Sequence, residues 1–349
     1  MINDNKFKII ILVLSCVLLL SFCAALLYGT VDLPYEVVYR TVLNEFLSNE
    51  KFIYGTVEPI HDIVWLLRMP RILLAACIGA GLSICGIVIQ AIVKNPLADP
   101  YILGISSGAS LGATAAILIG IGAALGENFI GIAAFVGAFV NSLAVVFIAN
   151  LGGRANSIKL LLAGMALSAV CTSFSSFIVY FSNNMEGMQT IVYWLMGSLA
   201  GAKWEVLYVM CPLVICGIIF FSSQYRILNL MLIGDETAVT LGYNLHIYRQ
   251  GYLLVTSIIV GFTVYSAGML GFIGLLIPHV VRIIIGTNHK VLLPVAALTG
   301  ASFMIWADVF CRIIIPGTEL PIGILISMIG APCFLYLMVK SSYNFGGIT

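Results

Sequence analysis

Arg68 and Arg71 sit three residues apart in the run RMPR, just before a long apolar segment. Two guanidiniums at that spacing share one helix face and can pair with carboxylates or phosphates. Two readings are open for them: heads snorkelling into the lipid headgroup layer, or a cationic dock for an acidic partner. Asp308 and Arg312 are four residues apart and can form an ion pair on one helix, and Glu319 opens the last apolar run, a favourable place for an anion. Asn95 lies in KNPLADP, between Pro96 and the preceding span, where its side chain can bridge freed backbone groups. Gln90, one turn earlier, either satisfies those broken bonds or lines a water-filled path. His279 and Arg282 place polar groups at the end of GFIGLLIPHVVR.

None of this is a catalytic constellation. No nucleophile is spaced with a base, and His61, His246, His279 and His289 are scattered. The nine cysteines form no CxxC pair and read as small buried hydrophobes. There is no glycine-rich loop ending in GK[ST], so ATP binding of that kind is not expected here. The sequence predicts no catalytic residue, no cofactor, no metal site and no nucleic-acid partner. Acids within apolar runs are almost absent, Asp308 being the nearest case, which weighs against proton- or sodium-coupled transport.

The elements that must position these residues are membrane helices. Of the residues, 61% are hydrophobic and only 9% charged, with a mean hydropathy of +1.10. Apolar runs predict ten spans, at 8–29, 71–93, 101–122, 129–150, 158–181, 205–221, 250–268, 271–284, 291–311 and 321–340. The first, behind Lys6 and Lys8, is longer than a signal-peptide core and reads as a retained helix. The eighth is short, contains Pro278 and reads as a half-helix packed inside protein. With the N-terminus inside, the inner intervals hold ten Lys or Arg and four acids, and the outer ones six and eleven. This bias predicts both termini cytoplasmic. Small residues recur every four positions at Gly104, Gly108, Gly112, Ala116 and Gly120, with Gly79/Ser83 and Gly164/Ser168 repeating the spacing, so the helices should pack closely.

One inner interval, about 226–246, is too polar to cross. Leu230, Ile233, Ala238 and Leu241 fit short amphipathic helices broken at Gly234 and Gly242. It is either a shelf that receives a soluble partner or a helix lying on the headgroups.

In order and spacing these motifs resemble the FecCD-type permeases of iron-chelate and vitamin B12 ABC importers. The matching runs are RMPR at 68–71, GAGLSICGIVIQAIVKNPLADPYILGISSGA at 79–109, WLMGSL at 194–199, GFIGLLIPHVVR at 271–282, ADVFCR at 307–312, ELPIG at 319–323 and GAP at 330–332. They cover about 10–340.

The resemblance implies an all-α polytopic membrane protein, the type II ABC importer permease fold, with the whole chain as one domain. It implies a dimer with a second permease subunit, expected to be a second copy, and two cytoplasmic ATPase subunits that carry the enzymatic activity. A substrate-binding protein is expected on the outer face, and the cytoplasmic (inner) membrane of a bacterium as the location. Arg68, Arg71 and Arg312 would meet acids of that binding protein. Asn95, Leu97, Ser157 and Ile158 would form the inner gate, Ile158 standing where the B12 permease has a polar residue. Leu232, Gly234, Asp235, Glu236, Ala238, Leu241 and Gly242 would contact the ATPases. The expected cargo is an iron–siderophore complex, or haem or cobalamin. An ion-coupled secondary transporter is the alternative.

Overall fold

The computed structural model describes residues 4–29, 31–47, 58–126, 128–151, 153 and 156–340; two of the cations counted above, Lys51 and Arg154, lie outside the described residues. Among the described residues the chain is helical and has no strands. Seven helices are long and apolar enough to cross a membrane. They include α1 (Asp4–Leu27), α5 (Phe129–Asn150), α6 (Ser157–Phe181), α8 (Trp204–Ser223), α11 (Leu245–Ala267) and α13 (His289–Ile313). The seventh, Pro59–Val93, contains α3 (Met69–Val93). Three shorter apolar helices join them: α4 (Ile105–Ile119), α12 (Ile273–Ile285) and α14 (Ile322–Lys340). The rest are short: α2 (Tyr35–Leu47), α7 (Met185–Met196), α9 (Tyr225–Ile233) and α10 (Asp235–Thr240).

The α3 segment is the axis of the molecule. Its apolar stretch is 83% buried inside the chain, against 17% for α1 and α6, so those two helices face lipid or another subunit. Helices α8, α11, α12 and α13 pack around it. Close approach is set by glycine. A methyl group at Gly79 would overlap the Gly300 carbonyl of α13, and one at Gly86 would overlap the Gly274 carbonyl of α12. The four-residue stripe is only partly a packing face. Gly108 and Gly112 lie against Gly137 and Ala133 of α5, but Gly104 and Gly120 are left-handed caps at the two ends of α4, with φ of 76° and 78°.

Hydropathy starts the second span at Arg71, with Pro70 in its first turn. The helix in fact begins near Pro59 and runs through Pro70. A π-helical turn, Asp62–Arg68, makes this possible: the Met69 N–H bonds to the Val64 carbonyl, and the wider turn takes in a residue that cannot donate. Helix α7 lies between predicted spans; it is too short and too polar at its start to register as a crossing.

Candidate functional site

Two clusters stand at opposite ends of the helix bundle. The first forms where α1 ends. The last carbonyls of a helix have no partners within it and need donors from elsewhere. Arg68 supplies them: Nη1 donates to the carbonyls of Leu26 at 2.7 Å and Leu27 at 3.0 Å, and Nη2 to that of Val31. Gly29 leaves room for this guanidinium, which a side chain there would overlap. From α13, Arg312 Nη1 donates to the Tyr28 carbonyl at 2.9 Å. Arg312 also pairs with Asp308 one turn earlier, Nη2 to Oδ2 at 3.0 Å. Arg71 reaches the other Asp308 oxygen through Nε at 2.7 Å and Glu319 through Nη1 at 2.8 Å.

So the three arginines singled out by sequence do converge, with Glu319, on one cavity of about 220 Å³. They do not form an exposed dock. Arg68 and Arg312 are only 5% and 4% exposed, turned inward onto their own chain. Glu319 precedes α14 and is engaged as the partner of Arg71.

The second cluster forms where α3 ends. Lys94 caps the helix in the left-handed region at φ 56°, its N–H on the Gln90 carbonyl. The chain then turns tightly: the Asn95 side chain accepts the Leu97 N–H at 2.9 Å, and the Asn95 carbonyl accepts that of Ala98 at 3.1 Å. Gln90 braces the turn, donating to the Ala98 carbonyl at 3.2 Å and accepting from Arg282 at 2.6 Å. That is the structural role rather than the path-lining one. Ser157, at the start of α6, donates to the Ile92 carbonyl at 2.9 Å and so joins this corner, with Ile158 beside it 67% exposed. Between α4, α6 and α12 opens a cavity of about 580 Å³, lined by Asp99, Ser106, Ser107, Ser168, Met269 and Phe272 among others.

The 226–246 interval folds as α9 and α10 against the same corner. Ala238 is fully buried on the inward face of α10, and Leu232 packs on the core. Glu236, Leu241 and Gly242 are exposed, in a surface that also presents Ile233, Val239, Tyr243 and Ile247. Asp235 is pinned from two sides. Arg249 of α11 holds both its oxygens, Nη1 to Oδ2 at 2.8 Å and Nη2 to Oδ1, and Lys94 Nζ approaches Oδ1 at 3.1 Å. Spacing along the chain signals neither contact, because Lys94 and Arg249 belong to different helices from Asp235 and meet it only in the fold.

The hydrogen bonds from Arg249, and the two cations' charge, hold the Asp235 carboxyl down at about 2, below the ordinary 3.8. A depressed carboxylate contributes fully above its ordinary value and is lost as pH falls through the lowered one. The anchoring of α10 should therefore be constant over about pH 5–8 and weaken only below about pH 4. Amide exchange across 235–240, corrected for its intrinsic pH dependence, checks this; loosening already at pH 5 would contradict it.

Among the described residues no group of His, Cys, Asp and Glu could hold a metal ion. Cys77 and Cys211 face each other at 3.3 Å between α3 and α8, both as free thiols, and Cys16 and Cys216 are exposed rather than buried.

The FecCD transport family model matches residues 17–340. The cobalamin import system permease protein BtuC of Halobacterium salinarum is 40% identical over 285 residues, 82% of this chain and 75% of that protein. The vitamin B12 import system permease protein BtuC of Salmonella typhi is 38% identical over 279 residues, 80% of this chain and 84% of that protein. A solved structure described as an inward-facing conformation of a metal-chelate type ABC transporter superposes with a TM-score of 0.81 at 30% identity, covering 96% of this chain and all of that one. A multi-pass helical chain with that match along nearly its whole length belongs to the FecCD transport family.

Proposed function

We propose that this chain is the membrane permease of an ABC importer for a metal chelate, with cobalamin the first cargo to test. It crosses the cytoplasmic (inner) membrane of a bacterium ten times, seven long helices and three short ones, with both termini in the cytoplasm. It is not itself an enzyme: ATP is hydrolysed by two ABC ATPase subunits seated on the 226–246 segment. Arg71, with Arg68 and Arg312 behind it, receives a substrate-binding protein on the outer face. Asn95, Leu97, Ser157 and Ile158 narrow the path at the inner side. The observation that carries this reading is the family match over residues 17–340.

The geometry supports it in three places. The arginine cluster and the α9–α10 surface lie at opposite ends of α3. Ile233, Val239, Leu241, Tyr243 and Ile247 are exposed apolar side chains that suit a soluble subunit. Helix α6 exposes Thr172, Ser173 and Ser176 in mid-span, a poor face for lipid and a suitable one for a second copy across a water-filled path.

Orientation is tested by cysteine labelling. With the native cysteines that react replaced, Glu236→Cys should react with an impermeant maleimide only when the cytoplasmic side is open. Labelling from outside sealed cells would reverse the topology and remove this segment as the ATPase seat.

A further inference from the structure

Lys94 is an unusual choice for its place. It occupies the left-handed region at φ 56°, where glycine or asparagine is at ease and another residue costs about 1 kcal/mol. Its ammonium is within 3.1 Å of Asp235, the first residue of α10, and also close to Gly234. Asp235 is in turn gripped by Arg249, which is 3% exposed. On its other side Lys94 is continuous with the Asn95–Leu97 turn and two residues from Ile92, where Ser157 is held. Lys94 thus joins the proposed ATPase seat through its side chain to Asn95 and Leu97 through its backbone, and lies two residues from the Ile92 carbonyl that holds Ser157.

We propose that Lys94 is a positioning residue, a strut that carries displacement of α10 to the 95–98 turn and so ties the state of the ATPases to the width of the inner gate. An isolated surface ion pair would add little. This one is oriented, since the buried Arg249 sets the direction in which the Asp235 carboxylate points, and it has a short lever, since the Lys94 backbone is itself the corner of the turn. When the ATPases shift α10, the Asp235 carboxylate moves with it, and the Lys94 end of α3 follows. The strut rests on the importer reading above, and the test separates the two.

The full complex, purified with its own ATPase and reconstituted in vesicles with its binding protein, is compared as wild type, Lys94→Arg, Lys94→Gln, Lys94→Gly, Asp235→Asn and the Lys94→Gln/Asp235→Asn double variant. The readouts are complex assembly and cargo moved per ATP hydrolysed, with cyanocobalamin, a ferric hydroxamate and haem as probes. Lys94→Gly relieves the backbone strain and keeps the fold, so it decides the matter if Lys94→Gln assembles poorly. Expected are a normal ratio for Lys94→Arg and a fall of about threefold or more for Lys94→Gln, Lys94→Gly and Asp235→Asn, with the double variant no worse than Asp235→Asn, because that variant already removes the Lys94 pair along with the Arg249 pair. A wild-type ratio in Lys94→Gly, or losses that multiply in the double variant, would overturn the strut. Wild-type vesicles that move none of the three probes on ATP would instead count against the importer reading.

Discussion

Arg68→Gln should cost the permease its folded state before it costs any binding. The variant removes the donors on the carbonyls of Leu26, Leu27 and Val31 in a buried place. At roughly 1 kcal/mol for each carbonyl left unpaired, the loss is about 3 kcal/mol, a large part of a domain's net stability. The expected result is a marked drop in yield and in thermal stability in detergent, with α1 detached from the adjoining ends of α3 and α13. Arg68→Lys should retain only part of that stability, since one ammonium cannot reproduce the planar fork. Normal yield and stability for Arg68→Gln would return this residue to the surface role that its sequence position suggests.

Arg71 is the sharper probe of docking, and Glu319 is its counterpart. Arg71→Gln should weaken association of the binding protein by about tenfold, equal to 1.4 kcal/mol. Glu319→Gln should strengthen it, because Glu319 now occupies Arg71 Nη1 at 2.8 Å and an incoming carboxylate has to displace it. Glu319 is 36% exposed, so the gain is modest, about 1 kcal/mol or less, and shrinks as salt rises. Affinity is measured in nanodiscs at low and moderate salt. The ATPase seat at the opposite end should be unchanged in both variants. Equal affinity for wild type, Arg71→Gln and Glu319→Gln would remove this cavity as the docking point.

Much of the architecture was legible because hydropathy is a one-dimensional signal. A run such as 129–150 must be a helix in lipid whatever surrounds it. The Asp308–Arg312 pair was legible for a similar reason, being local to one helix turn. The Asn95 turn was too, since Asn before Pro with a free backbone leaves little else for its side chain to do.

What the sequence hid was tertiary. The carbonyls that bury Arg68 belong to a helix far back in the chain, so RMPR reads as exposed when it is not. The entry of α3 was hidden by Pro70, because a π-helical turn that accommodates proline has no sequence signature. The link from Lys94 to Asp235 crosses two elements, and neither residue type hints at the other.

As the permease of an importer, as proposed, this chain should move its cargo only on ATP hydrolysed by partner subunits. The direct measurement is cargo uptake into proteoliposomes holding the permease, its ATPase and its binding protein, with cyanocobalamin, ferric siderophores and haem compared side by side. Uptake of one class should require ATP inside the ATPase-bearing compartment, stop when the ATPase or the binding protein is left out, and be indifferent to collapse of proton and sodium gradients. Uptake that continues without the ATPase and follows an ion gradient would contradict the claim and make the chain a secondary transporter.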